Sequence, residues 1–210
     1  ARIKSGLEYT WSFDSRDRYF SPTRGNKTTI SPYMAGGALG GETDIFGARI
    51  RSGQYWPLIG NMVFNLRGQV ESVEAFGDSK QDTGVYGEGV PLFDRLFLGG
   101  SYTLRGFEYR DVGPQDNGDP IGGNSSAYAT GELTFPIWSK VRGAAFYDWG
   151  FVNVKSWDFD PSLYNDNWGI GLRFDIPGFP LHLDYAWPIN YDETYQSGNG
   201  RFNFLIGHTF

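Results

Sequence analysis

The 210-residue chain has no cysteine, which excludes a disulfide framework and any thiolate metal site. No apolar run reaches the ~18–20 residues that a membrane-crossing helix needs. No stretch carries the 3.6-residue periodicity of a convincing amphipathic helix. There are two histidines, His182 and His208, far apart and outside any zinc motif. The formal net charge of −6 argues against general nucleic-acid binding. Neither a Gly-x-Ser-x-Gly elbow nor a phosphate-binding loop occurs, and no carboxylate is joined to a nucleophile–base arrangement. Asp111, Asp116 and Asp119 share a Gly/Asn/Pro-rich stretch, but their spacing fits no calcium loop. No catalytic residue, metal or cofactor is therefore expected. Ala1 is not followed by the basic segment and apolar core of an export signal, so an exported protein with this sequence would be a mature chain or a piece of a longer one.

What the chain does have is aromatics (18%), thirty glycines and strict period-two alternation. Leu7, Tyr9, Trp11 and Phe13 share one face, with Glu8, Thr10, Ser12 and Asp14 on the other. Phe64, Leu66 and Val70 alternate with Asn65, Arg67, Gln69 and Glu71. Ala145, Tyr147, Trp149 and Phe151 alternate with Ala144, Phe146, Asp148 and Gly150. Trp168, Ile170, Leu172 and Phe174 oppose Gly169, Gly171, Arg173 and Asp175. Leu181, Leu183, Tyr185 and Trp187 oppose His182, Asp184 and Ala186, and Phe202, Phe204, Ile206 and Phe210 oppose Asn203, Leu205, Gly207 and Thr209.

This pattern predicts about nine strands, near 5–14, 26–35, 44–53, 62–72, 125–135, 141–151, 167–175, 180–188 and 201–210. Connections 136–140 and 176–179 are tight, 152–166 and 188–200 are longer, and 73–124 is by far the longest. Short turns on one side and long loops on the other, with one apolar and one polar face, define the expected class: an all-β, antiparallel transmembrane β-barrel. A mean hydropathy of −0.41 is compatible with it, because the inward face is polar. Trp56, Trp138, Tyr147, Trp149, Trp187 and Tyr191 near strand ends suit interfacial girdles. A soluble β-sandwich would need neither so polar a second face nor a terminal aromatic.

Several motifs occur in the order found in one family. They are Tyr19-Phe20-Ser21-Pro22-Thr23-Arg24-Gly25, then Phe97-Leu98-Gly99-Gly100 followed by Leu104-Arg105-Gly106-Phe107. Val112-Gly113-Pro114 and Gly122-Gly123-Asn124 flank the second motif, and Phe146-Tyr147-Asp148-Trp149-Gly150 and the Phe202–Phe210 strand follow. The whole chain resembles the C-terminal part of a BamA-type outer-membrane barrel. The resemblance implies that residues 1–210 are the C-terminal part of a sixteen-stranded barrel. It also implies that the loop at about 73–124 folds back into the lumen. Arg105 of the loop motif (Gly99, Gly100, Arg105, Gly106, Phe107) would then meet Glu132 and Asp148, with Phe146 beside them. Alternation independently puts Glu132 and Asp148 on polar faces.

Gly207 and Phe210 of the last strand would form a weakly paired seam. The implied function is an outer-membrane insertase that folds and inserts β-barrel proteins. It would act in a Gram-negative-type bacterium, with nascent barrel proteins, accessory lipoproteins and outer-membrane lipids as partners, and no nucleic acid. The alternatives are a two-partner secretion transporter, which shares the arginine loop, and a simple diffusion porin. An odd number of strands cannot close as an up-and-down barrel, so a piece of a larger chain is expected.

Overall fold

A computed structural model describes residues 3–81, 88–174, 176 and 180–207. Its main element is one antiparallel sheet. The strands are β1 (Gly6–Glu8), β2 (Trp11–Asp14), β3 (Gly25–Ala35), β4 (Ile45–Pro57), β5 (Val63–Ala75), β8 (Ser125–Trp138), β9 (Val141–Asn153), β10 (Asn165–Phe174), β11 (Leu181–Asn190) and β12 (Arg201–Ile206). A two-stranded hairpin, β6 (Gln115–Asp116) and β7 (Asp119–Pro120), lies within the long loop. Neighbours in sequence are neighbours in the sheet from β3 through β12, apart from that loop.

The sheet has ten strands rather than nine because the first is divided. Both β1 and β2 pair with β3, and the gap at Tyr9–Thr10 falls opposite Pro32 and Ser31. Tyr9 N–H donates to Pro32 O at 3.1 Å, but proline has no N–H to return. The ladder breaks at the residue that cannot donate.

The strands also outrun the sequence expectation. β4 and β5 reach residues 57 and 75, and β8 and β9 reach 138 and 153. A strand of about 13 residues is roughly 43 Å long, and at a tilt near 40° it rises about 33 Å, enough to cross an apolar band of about 25 Å and emerge on both sides. The β8–β9 connection shrinks to residues 139–140, and the long loop begins at 76 rather than 73.

The two faces invert the pattern of a soluble sheet. One exposes Trp11, Phe13, Ile50, Leu66, Trp168, Ile170 and Phe204, while the other buries Arg67, Glu71, Glu132, Asp148, Arg173, Asp184 and Asn203. Such an apolar exterior suits hydrocarbon. On the face of Trp149, Phe151 is buried, its ring edge-on to Trp149 at 5.5 Å, while Tyr191 packs inward against the loop rather than joining a girdle.

The buried apolar core comes from the long loop lying on the inner face. One cluster joins Val90 to Ala35, Ile45, Val73 and Ala75. The other joins Leu98, Leu104, Phe107 and Val112 to Val152. Bridges Leu96↔Gly123 and Leu98↔Val112 tie the loop to itself.

Among the described residues the last strand runs to Ile206, with Gly207 directly after it. Gly207 has φ 115° and nothing within 4 Å of where a Cβ would sit, so the backbone angle and not crowding favours glycine here. Phe210 lies outside the described residues.

Candidate functional site

Residues 99–107 form a compact knot. Gly100 N–H donates to Leu104 O and Phe107 O, both at 3.1 Å, and Gly99 N–H donates to Thr103 Oγ1 at 2.9 Å. Gly99 and Gly100 have φ of 109° and 90°, in the left-handed region. Gly106 is needed for proximity: a Cβ there would lie 2.6 Å from Asn167 Cβ, and its N–H donates to Asn167 Oδ1 at 3.0 Å.

The knot presents Arg105 to the inner face, where it is 1% exposed. Its Nε and Nη2 grip Asp148 side-on at 2.9 and 2.8 Å. Nη1 donates to Glu132 Oε2 at 2.9 Å and to Asp184 Oδ2 at 3.4 Å. The guanidinium lies 3.3 Å from the centroid of the Phe146 ring. Arg173 completes the network, donating to Glu132 through Nε and Nη2 at 3.2 and 2.7 Å and to Asp184 Oδ1 at 2.6 Å.

Two guanidiniums thus face three carboxylates. Neutral donors offset part of the imbalance. The Arg105 N–H (3.2 Å), Thr130 Oγ1 (2.8 Å) and Asn167 Nδ2 (3.0 Å) all donate to Asp148. Asn203 Nδ2 donates to Arg105 O at 2.7 Å, and Ser101 Oγ and Asn203 Oδ1 are 2.9 Å apart. One loop residue and its neighbours are therefore bound to five consecutive strands: β8 (Thr130, Glu132), β9 (Phe146, Asp148), β10 (Asn167, Arg173), β11 (Asp184) and β12 (Asn203).

Such buried pairs contribute little net stability, because desolvation of each ion is large. They make the geometry specific, since a guanidinium fork accepts a carboxylate in few orientations. The arrangement fixes a loop in place.

The structure brings Arg105, Glu132, Phe146 and Asp148 together. Phe107 turns away from them into the apolar cluster with Leu98, Leu104, Val112 and Val152. Gly207 sits at the short-turn end of β12, where its N–H donates to Pro180 O at 2.9 Å. Sequence reasoning missed Thr130, Asn167, Arg173, Asp184 and Asn203. Alternation had put Arg173, Asp184 and Asn203 on polar faces, but their heights across strands depend on register, which period two leaves open.

A sheet with an apolar exterior, a polar interior and a long loop clamped inside through one arginine defines a membrane-spanning β-barrel protein with an ordered lumenal loop. The Omp85 superfamily domain matches residues 1–210, and the chain belongs to that superfamily. It is 27% identical to the outer membrane protein assembly factor BamA of Nitratidesulfovibrio vulgaris over 99% of this chain and 26% of that protein. A SAM50-like protein of Schizosaccharomyces pombe is 30% identical over 98% of this chain and 44% of its own length. Among solved structures, BamA from Haemophilus ducreyi lacking POTRA domains 1–3 superposes with a TM-score of 0.77 at 25% identity, covering 96% of this chain and 42% of that one. CdiB from Acinetobacter baumannii shares the fold, with a TM-score of 0.60 at 16% identity over 98% of this chain and 33% of that one. The chain spans about a quarter of the BamA relative and under half of the SAM50-like one.

Proposed function

We propose that residues 1–210 form the C-terminal part of the barrel wall of an assembly factor. This factor folds and inserts β-barrel proteins into the outer membrane of a Gram-negative-type bacterium. Nascent barrel proteins are its clients, and accessory lipoproteins and outer-membrane lipids are its partners. The observation that carries this reading is the clamp on β12. That strand is a sheet edge among the described residues, yet Asn203 ties it from inside to the Arg105 backbone at 2.7 Å. The loop braces the wall up to its edge and leaves the outward row of backbone groups for an incoming strand to pair by edge addition. The positive φ of Gly207 bends the backbone out of the extended strand conformation directly after Ile206, which weakens pairing there. No chemistry on the client is needed, so the protein works without a catalytic residue or an energy cofactor. A protein-translocating pore would use the same fold and the same arginine loop, but among the comparisons that alternative draws support from fold likeness alone.

The test uses the full-length protein in its native membrane, with Arg105→Ala. Insertion of the variant itself should persist. Protease cleavage within residues 95–125 should rise, and assembly of a reporter barrel protein should fall at least fivefold. Unchanged reporter assembly with a loosened loop would sink the role of the brace. Export of a soluble passenger in place of barrel assembly would favour the pore.

A further inference from the structure

Four arginines of the described residues use the same edge of the guanidinium in the same way. Nε and Nη2 of Arg16 hold Asp14, those of Arg49 hold Glu71, those of Arg105 hold Asp148 and those of Arg173 hold Glu132. Arg51, Arg95 and Arg142 place Nε on neutral oxygens of Gln69, Val90 and Thr134 instead. Arg67 differs from all seven. It sits on the inner face of β5, opposite Thr130 of β8, and is 6% exposed. Its Nε and Nη2 meet no acceptor among the described residues and are sealed from solvent. A buried guanidinium edge left without an acceptor is costly, by more than a neutral donor would be.

Beside it lies a cavity of about 150 Å³ on the short-turn side of the sheet, lined by Arg67, Tyr55, Thr134, Arg142 and His182 among others. Five arginines line it; Arg16 is paired with Asp14, Arg18 with Asp17, and Arg173 with Asp184 and Glu132, the one carboxylate in the lining, which Arg105 also holds. In outer-membrane barrels the short turns face the periplasm.

We propose that this cavity is a carboxylate-binding cradle at the periplasmic end of the lumen, with Arg67 as its receptor. The ligand is an Asp or Glu side chain on a protein segment that lies across the cavity. Two features select a carboxylate. The edge is the one that takes carboxylates side-on in Arg16, Arg49, Arg105 and Arg173, and the one carboxylate lining the cavity, Glu132, is already held by Arg105 and Arg173. A turn of the Arg67 fork into the cavity pairs both donors at once and removes the penalty of leaving them unmatched. The segment has two sources: another part of the same barrel wall, or a separate polypeptide passing the periplasmic mouth. The proposal stands independently of the assembly function, because it is read from contacts of the protein and not from client insertion.

The experiment places a photo-crosslinking amino acid at Asn65, which lines the same cavity, in the full-length protein in its native membrane. Adducts are mapped by mass spectrometry with Arg67 intact, with Arg67→Met and with Arg67→Lys. The adduct should map within two residues of an Asp or Glu and fall at least fivefold in Arg67→Met. It should fall at least threefold in Arg67→Lys, which keeps the charge but lacks the fork. Heat-modifiable gel mobility checks that each variant is folded. An adduct within the same chain identifies the barrel wall as the source, and one of increased mass identifies a separate polypeptide. No adduct, an adduct on a segment without a carboxylate, or a yield unchanged in both folded variants would overturn the proposal.

Discussion

The long loop packs apolar side chains on both halves of the sheet, but only one half grips it through buried charge as well. Against β3–β5 it packs Val90 on Ile45, Val73 and Ala75, an apolar contact without direction. Against β8–β12 it packs Leu98, Leu104, Phe107 and Val112 on Val152 and is bound besides by Arg105 to Asp148, Glu132 and Asp184, and by Asn203 and Asn167 to its backbone. The apolar side supplies burial, and a shifted loop would keep part of it. The ionic side fixes one position, because displacement leaves charges buried and unpaired. The half of the sheet that reaches the edge at β12 is the half held by the ion pairs of Arg105.

Arg105→Ala should break this comparison with the largest effect. It strands Asp148 and part of Glu132, at a cost of about 3–5 kcal/mol. Urea unfolding of the intact protein in detergent should show it, and Arg105→Lys should recover only part, since an ammonium cannot span the same acceptors. Ile45→Ala should come next, at about 2–4 kcal/mol from lost burial and the cavity left behind. It should weaken the protein without exposing residues 99–107 to protease. Exposure equal to that of Arg105→Ala would mean that the apolar side also positions the loop.

Gly106→Ala should cost about 1–3 kcal/mol by pushing the loop off Asn167. Asn167→Gly should relieve part of that cost, and unfolding of the double variant measures the coupling. The smallest effect belongs to the turn before β3. There, slight burial pushes the Asp17 carboxyl up, but the Thr23 hydroxyl and the N–H groups of Thr23 and Arg24 outweigh it and hold it at about 2. A depressed carboxyl stabilises above its unfolded value, and that contribution disappears as pH falls from about 4 toward about 2. The melting difference between the native protein and Asp17→Asn should therefore be flat near neutrality and shrink in acid, while the effect of Ile45→Ala should not change with pH in this way.

Most of the sheet was legible because alternation is a local property. Leu66 and Arg67 are adjacent, and their opposite chemistry fixes which way each points. The split of the first strand was less visible, since it depends on Pro32 in the neighbouring strand. The ends of β4, β5, β8 and β9 were set too early, because beyond the membrane band the apolar alternation fades while the backbone ladder continues. Within the site, Glu132 and Asp148 could be found from motif and face together. Arg173, Asp184 and Asn203 could not be assigned, because nothing in their own strands says which neighbour lies beside them. The unfilled edge of Arg67 was out of reach entirely: its sequence neighbours look the same as those of an arginine with a partner.

The sequence alone determined the class of the protein: a β-sheet with an apolar exterior, a polar interior and one long glycine-rich loop. It could do so because side-chain alternation and turn chemistry are written in neighbouring residues. The tertiary structure decided which strands the loop grips, which carboxylates share Arg105 and Arg173, and which arginine is left without an acceptor. Those outcomes depend on strand register and on the path of residues 88–124 across the inner face. Both are set by contacts between residues tens of positions apart, such as Arg105 with Asp184 and Arg105 with Asn203.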